Sequence, residues 1–200
     1  VNRKENLNRI SNEIKVIQSG GTAESPIFNI WGVRGIGKSW FAEHLREVYQ
    51  YDGSPLDKLS LAPTFTLFHR FPKEKIDRID NEEFTRVFLE QVQEQLQKKF
   101  LPDEQSIFED VCKNKQIESL VDFLKAVSKR FVPIILFDQT ESVFNDWANM
   151  EKLFIEPLVI TNRIIFVIAG RRPIPEWIRF ETRRRVAPLE LSRLSGFAKE

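Results

Sequence analysis

The sequence predicts an α/β fold: a three-layer sandwich with helices on both faces of a parallel sheet of about five strands. Three observations carry this. The apolar run Pro26-Ile27-Phe28-Asn29-Ile30-Trp31 leads directly into Gly32-Val33-Arg34-Gly35-Ile36-Gly37-Lys38-Ser39, and an amphipathic helix follows with Phe41, Leu45, Val48 and Tyr49 on one side. A second run, Pro133-Ile134-Ile135-Leu136-Phe137-Asp138, is apolar until it ends in an acid, as expected of a parallel strand buried on both faces. A third, Arg163-Ile164-Ile165-Phe166-Val167-Ile168-Ala169, releases Gly170-Arg171-Arg172-Pro173 at its C-terminal end. The expected order puts this third strand between the first two, so that Lys38, Ser39, Asp138 and Arg171 share one edge.

The remaining elements follow in order. Leu7, Ile10, Ile14 and Ile17 recur at helical spacing within 4–18, and Ser19-Gly20-Gly21 closes that helix. A loop is expected around Tyr51-Asp52-Gly53-Ser54-Pro55, then a strand at Thr64-Phe65-Thr66-Leu67-Phe68 limited by Pro72. Asn81 reads as the N-cap of a long helix with Phe84, Val87, Phe88, Val92, Leu96 and Phe100 as its core stripe. Leu101-Pro102-Asp103 reads as its end, with an irregular acidic stretch to about Lys115. A further helix carries Ile117, Leu120, Val121, Leu124, Val127 and Phe131. Val143, Trp147, Met150, Phe154 and Leu158 predict another, all five as core, with Pro157 near its end. Arg179, Arg183, Arg184 and Arg185 form a basic cluster, read as a solvated face, before a last strand from Val186 to Leu191.

The 200 residues suit one main domain, 42% apolar content supplies a single core, and the chain begins with Val1, as a piece of a longer protein would. The expected domain spans 1–191, with a leading segment and helix at 1–21; 192–200 would start a helical lid region. A formal net charge of +1 carries no whole-chain bias towards nucleic acid or membrane. Neither partner is expected for this domain, and no run of about 18 apolar residues suggests a membrane span. Cys112 is the single cysteine, read as a small core residue, and a cytoplasmic setting is expected.

The chemistry centres on Gly32 to Ser39, the G-x-x-x-x-G-K-S pattern of a P-loop (Walker A), found here between a strand and a helix as that motif requires. Its glycines let the backbone of Gly32, Val33, Arg34, Gly35, Ile36 and Gly37 wrap a polyphosphate, and the helix beginning near Lys38 adds the positive end of its dipole. Lys38 is expected to reach the β- and γ-phosphates of ATP and Ser39 to coordinate Mg²⁺. Asp138 ends its strand as a Walker B acid would, and is the second expected metal ligand. Arg171 falls where a γ-phosphate sensor would stand.

Val1-Asn2-Arg3 before a helix, Gly32 to Ser39 followed by Trp40-Phe41, Leu136-Phe137-Asp138-Gln139-Thr140-Glu141, Ala169-Gly170-Arg171 and Pro188-Leu189-Glu190-Leu191 together resemble the STAND NTPases. These are signal-transduction ATPases close to the NACHT and AAA+ groups, and the resemblance spans nearly all of the chain. It implies a P-loop NTPase sandwich of AAA+/STAND type, with Arg3 and Trp40 joining the nucleotide-contacting residues; Lys4 and Asn6 stand where glutamate is common in the family's leading motif. It implies a slow, ATP-dependent switch in a longer protein of signalling or bacterial defence, binding ATP or ADP and forming homo-oligomers when activated. An origin-recognition-like AAA+ module acting on DNA is the alternative. In P-loop ATPases with an extra strand between the two motifs, the residue after the Walker B aspartate is generally glutamate. Here it is Gln139, which can orient a water but is a far poorer proton acceptor. Either Gln139 is native and Glu141 or another group serves, or an acid has been removed to trap ATP. The expectation carried forward is an ATPase impaired in hydrolysis, with Gln139, Arg171 and Lys38 at its catalytic positions.

Overall fold

The computed structural model describes residues 2–51, 61–96, 98–171 and 180–190, with the backbone alone at 2, 3, 180, 181 and 187–190. Among the described residues the sheet has five strands: β1 (Ile27–Trp31), β2 (Thr64–Arg70), β3 (Val132–Asp138), β4 (Ile165–Gly170) and β5 (Val186–Glu190). They lie in the order β2-β3-β4-β1-β5, every neighbouring pair parallel. The third strand of the sequence argument, β4, does separate β1 from β3.

Alternation along the strands divides the core into two layers, as the pleat requires. On one face Phe28, Ile30, Ile134, Leu136, Ile165 and Val167 meet Ile10, Ile14 and Ile17 of α1 (Asn2–Gln18) and Phe41 and Leu45 of α2 (Lys38–Tyr49). On the other, Ile135, Phe137, Phe166 and Ile168 meet α3 (Asn81–Leu96), α5 (Ile117–Val127), α6 (Trp147–Met150) and α7 (Glu156–Val159). All seven residues of β3 are buried. Pro133 is tolerated there because Val132 N–H already points to Pro63 of the β2 side, so residue 133 faces β4, whose ladder begins only at Ile134.

Strand β2 is an edge, and its unpaired backbone is covered by side chains. Gln91 and Gln95, one turn apart on α3, each accept from one β2 N–H and donate to the same residue's carbonyl: Gln91 with Phe68 (2.7 and 2.8 Å) and Gln95 with Thr66 (3.1 and 2.6 Å). Two amides therefore stand in for a sixth strand and block strand addition.

Several elements differ from expectation. Residues 102–114 form a helix, α4 (Pro102–Asn114), rather than an irregular stretch. Pro102 starts it where a missing N–H costs nothing, Glu104 accepts from Leu101 N–H (2.8 Å), and Arg130 pairs with Glu104. Helix α3 ends at Leu96, so Phe100 is not part of it, and its cap is Asp80, whose Oδ1 accepts from Glu82 and Glu83 N–H, not Asn81. Cys112 is exposed, because Phe108 and Val111 form the inward side of α4. Val48 is exposed too, with Phe41, Ala42 and Leu45 facing the sheet. The stretch between α6 and α7 winds as a π-helix at Glu151–Ile155, since Pro157 cannot donate back into the turn before it. Val143, Trp147, Met150, Phe154 and Leu158 are all core, as expected. Arg185 is half-buried rather than solvated, donating to Val159 carbonyl (3.0 Å) and to Asn162 Oδ1. Residues 52–55, Arg172, Arg179 and the 192–200 lid lie outside the described residues. Among those described, no helix is long and apolar enough to cross a membrane.

Candidate functional site at the carboxyl edge of the sheet

In a parallel sheet every strand delivers its C-terminal residue to the same edge, and here the segments at the ends of β1, β2, β3 and β4 line a cleft of about 380 Å³. Strand β1 delivers the loop from Gly32 to Gly37. Gly35 and Gly37 have φ of 85° and 86°, a region that side chains strain to occupy, and α2 begins at the next residue, Lys38. The N-terminus of α2, with the positive end of its dipole, opens on the cleft, which Lys38 and Ser39 line. Lys38 Nζ crosses the loop and donates to the carbonyls of Gly32 (2.8 Å) and Val33 (3.0 Å). Burial lowers its pKa from the ordinary lysine value; Glu141 and Asp138 act against the shift, and Arg171 adds to it.

Strand β3 delivers Asp138, 2% exposed. Its Oδ1 accepts from Gln139 N–H (3.0 Å), and Oδ2 accepts from Arg70 Nε (3.0 Å), the last residue of β2 and its register partner. Gln139 is in the left-handed region (φ 61°, ψ 38°), which turns the chain sharply after the strand. Its carbonyl accepts from the Ser142 hydroxyl (3.0 Å), and Thr140 Oγ1 donates to Ala169 carbonyl (3.2 Å), tying this turn to the end of β4. Beyond β4, Arg171 is clasped by Glu141: Nε to Oε1 at 2.9 Å and backbone N–H to Oε2 at 3.2 Å.

Of the expected site residues, Arg34, Gly35, Gly37, Lys38, Ser39, Asp138, Gln139 and Arg171 line the cleft, and Glu141 with them. Gly32 and Val33 join it through the carbonyls that hold Lys38, whereas Ile36 turns into the core between α2 and the sheet. Trp40 is 55% exposed and stacks on His44, off the cleft lining. Arg3 lies on α1, its side chain outside the described residues. The sequence argument missed Pro72 and Lys73, which line the cleft, and Arg70, which contacts Asp138 behind it. For Arg70 a weaker signal existed: a charge at the C-terminal end of a strand, as at Asp138, though β2 also carries Thr64, Thr66 and His69.

The donor set fits a nucleoside triphosphate with a divalent cation: lysine and helix N–H groups for phosphate oxygens, and one hydroxyl and one carboxylate for the metal. A backbone path that needs glycine at Gly35 and Gly37 lets phosphates approach the loop closely.

The architecture has solved counterparts. The chain aligns over 94% of its length with 45% of Cdc6p from Pyrobaculum aerophilum, at 14% identity and a TM-score of 0.53. It aligns over 96% of its length with 56% of a chain in the Drosophila ORC structure bound to AT-rich DNA and Cdc6, at 5% identity and a TM-score of 0.51. The chain thus shares its parallel α/β fold with these two structures. At such identities the likeness concerns the fold alone, and the chain spans about half the length of these counterparts. No protein-family model and no curated protein matches the sequence.

Proposed function

We propose that this domain binds ATP with Mg²⁺, hydrolyses it slowly, and uses the bound nucleotide to set how neighbouring domains of a longer cytoplasmic chain pack, as in the STAND switch proteins it resembles. The observation that supports this is the convergence of Lys38, Ser39, Asp138, Glu141 and Arg171 on one cleft at the carboxyl edge of the sheet. Mg²⁺ would supply charge neutralisation at the β- and γ-phosphates, held by Ser39 and Asp138. Lys38, already oriented across the loop by two carbonyls, would bind phosphate oxygens. Glu141, which pairs with Arg171, is a second cleft carboxylate beside Asp138 and would take the proton from water. Gln139 can only orient that water. Activated homo-oligomers, in which a neighbour adds a further cation, belong to the same proposal. Calorimetry on Lys38→Ala tests it: ATP–Mg²⁺ affinity should fall by at least about a hundredfold, since a charge-assisted contact to phosphate is lost. Unchanged affinity would remove the P-loop assignment.

A second reading, a DNA-acting AAA+ module, draws on the likeness to an origin-recognition chain in a DNA-bound structure. Against it, Arg185 of the basic cluster is committed to Val159 and Asn162. Fluorescence anisotropy with an AT-rich duplex, with and without ATP–Mg²⁺, separates the readings; saturable, nucleotide-dependent binding would favour the second.

A further inference from the structure

Arg70 has no part in the reading above, yet it makes the closest cationic contact of the buried Asp138 (Nε–Oδ2 3.0 Å). A carboxylate this buried needs a counter-charge, and the guanidinium supplies it at an oxygen that a metal shell would also seek. Arg70 is not committed to Asp138 alone. Its Nη2 donates to Glu43 Oε1 (3.1 Å), on the α2 face one turn after Ser39, and its guanidinium lies over the Phe68 ring (5.3 Å). Glu43 in turn pairs with Arg46 (3.5 Å), which also covers Phe68 (5.7 Å). Arg70 therefore has a second carboxylate and an aromatic face to remain on when Asp138 is taken from it. Among the described residues no group of three or more His, Cys, Asp or Glu side chains is placed to hold a metal ion. One carboxylate and one hydroxyl leave most of an octahedral Mg²⁺ shell to phosphate oxygens and water.

We propose that Arg70 is a positioning residue that guards Asp138: it neutralises the carboxylate against free divalent cations and yields it only to a metal arriving on a nucleotide. The inference rests on the proposed ATP–Mg²⁺ site, and deepens it by making the metal–nucleotide complex, rather than metal followed by nucleotide, the species that binds. Lys38 adds to the same exclusion of free metal, since its ammonium shares the cleft with Asp138.

The test uses Mn²⁺ alone, with binding read by electron paramagnetic resonance, on the parent, Arg70→Gln and Arg70→Gln/Asp138→Asn. Glutamine removes the charge, Arg70→Met removes it with an unbranched apolar side chain should glutamine disturb folding, and Arg70→Lys is the charge-retaining control. In Arg70→Gln, Mn²⁺ affinity without nucleotide should rise by about tenfold or more, because a full positive charge beside the carboxylate is gone. The double variant should lose that gain, and Arg70→Lys should stay near the parent. Mn²⁺ affinity equal in parent and Arg70→Gln would overturn the proposal, as would a gain that survives Asp138→Asn. A parallel titration with a fluorescent ATP analogue and Mg²⁺ keeps the failures apart. If no protein binds the analogue, the nucleotide reading fails by that measurement, while the Mn²⁺ comparison still decides whether Arg70 guards Asp138.

Discussion

Replacing His69 by phenylalanine should remove a pH-dependent weakness from the fold. The imidazole lies on the α3 side of β2, its ring tilted against Phe71, Phe84 and Phe88 at centroid distances of 4.6, 5.2 and 6.1 Å. Burial there lowers its pKa from 6.5 to about 4, with Glu83 opposing the shift. The sign follows from proton counting. The unfolded chain takes up a proton on His69 as pH falls through 6.5, and the folded chain only near 4. Between those values the unfolded state holds more protons, so stability is lost as pH falls through that window and is regained above it. A shift of this size corresponds to on the order of 3 kcal/mol if fully expressed. The ring is only partly buried, so solvent screening reduces the expected loss to about 1–2 kcal/mol. His69→Phe keeps aromatic contact and abolishes the titration. Urea unfolding of both proteins across the window should show the variant gaining about 1–2 kcal/mol on the parent towards the acid end. Carboxylates elsewhere titrate in both and cancel in the difference. Parallel curves would refute the argument, meaning that the folded ring accepts its proton as readily as the unfolded one.

Other outcomes are expected. Nucleotide affinity should depend on Mg²⁺ in the parent and be independent of it in Asp138→Asn; equal dependence in calorimetry would make Asp138 merely a cap for the turn after β3. If an acid has been lost at position 139, Gln139→Glu should accelerate single-turnover hydrolysis by about 10²–10⁴-fold. If Glu141 is the base, Glu141→Gln should abolish turnover, while Gln139→Glu does little or weakens binding by adding a carboxylate beside Asp138. Gln91→Leu/Gln95→Leu should lower stability by about 2–4 kcal/mol, four edge hydrogen bonds at roughly 1 kcal/mol each less the gain from apolar replacement, and should promote association through β2. Unchanged stability and a strictly monomeric variant in sedimentation would mean that the two amides do not protect the edge.

Much of this arrangement was legible because the two strongest signals are local. A glycine-rich turn between an apolar run and a helix fixes the P-loop by backbone conformation alone, and a strand buried on both faces betrays itself by having no polar residue until its end. The irregular stretch at 102–114 was misread for a physical reason: Pro102 and Asp103 stop one helix and start another equally well, and the capping contact of Glu104 and its pairing with Arg130 are tertiary facts. The same holds at Asn81, where the neighbouring Asp80 proved the better acceptor.

Arg70 shows where the reasoning could have gone further without any tertiary information. Once β2 is accepted as a member of the same parallel sheet, its last residue must emerge at the edge where Asp138 emerges, one strand away. A full positive charge there bears directly on the proposed binding of a cation and a polyphosphate. In the proposed site it would either attract phosphate or screen the carboxylate, and the 3.0 Å contact with Asp138 favours the second role. Glu141 is read by the same logic. It lies three residues beyond the strand, where sequence spacing alone does not say which way it faces. The left-handed turn at Gln139 and the bond from Thr140 to Ala169 bring its carboxylate onto Arg171. Both carboxylates of this cleft are thus in opposed pairs, Asp138 with Arg70 and Glu141 with Arg171, beside Arg34, Lys38 and Lys73 of the lining. Under the proposed function, a ligand bearing both a metal ion and phosphates would exchange both pairs at once, which neither a free cation nor a free anion could do.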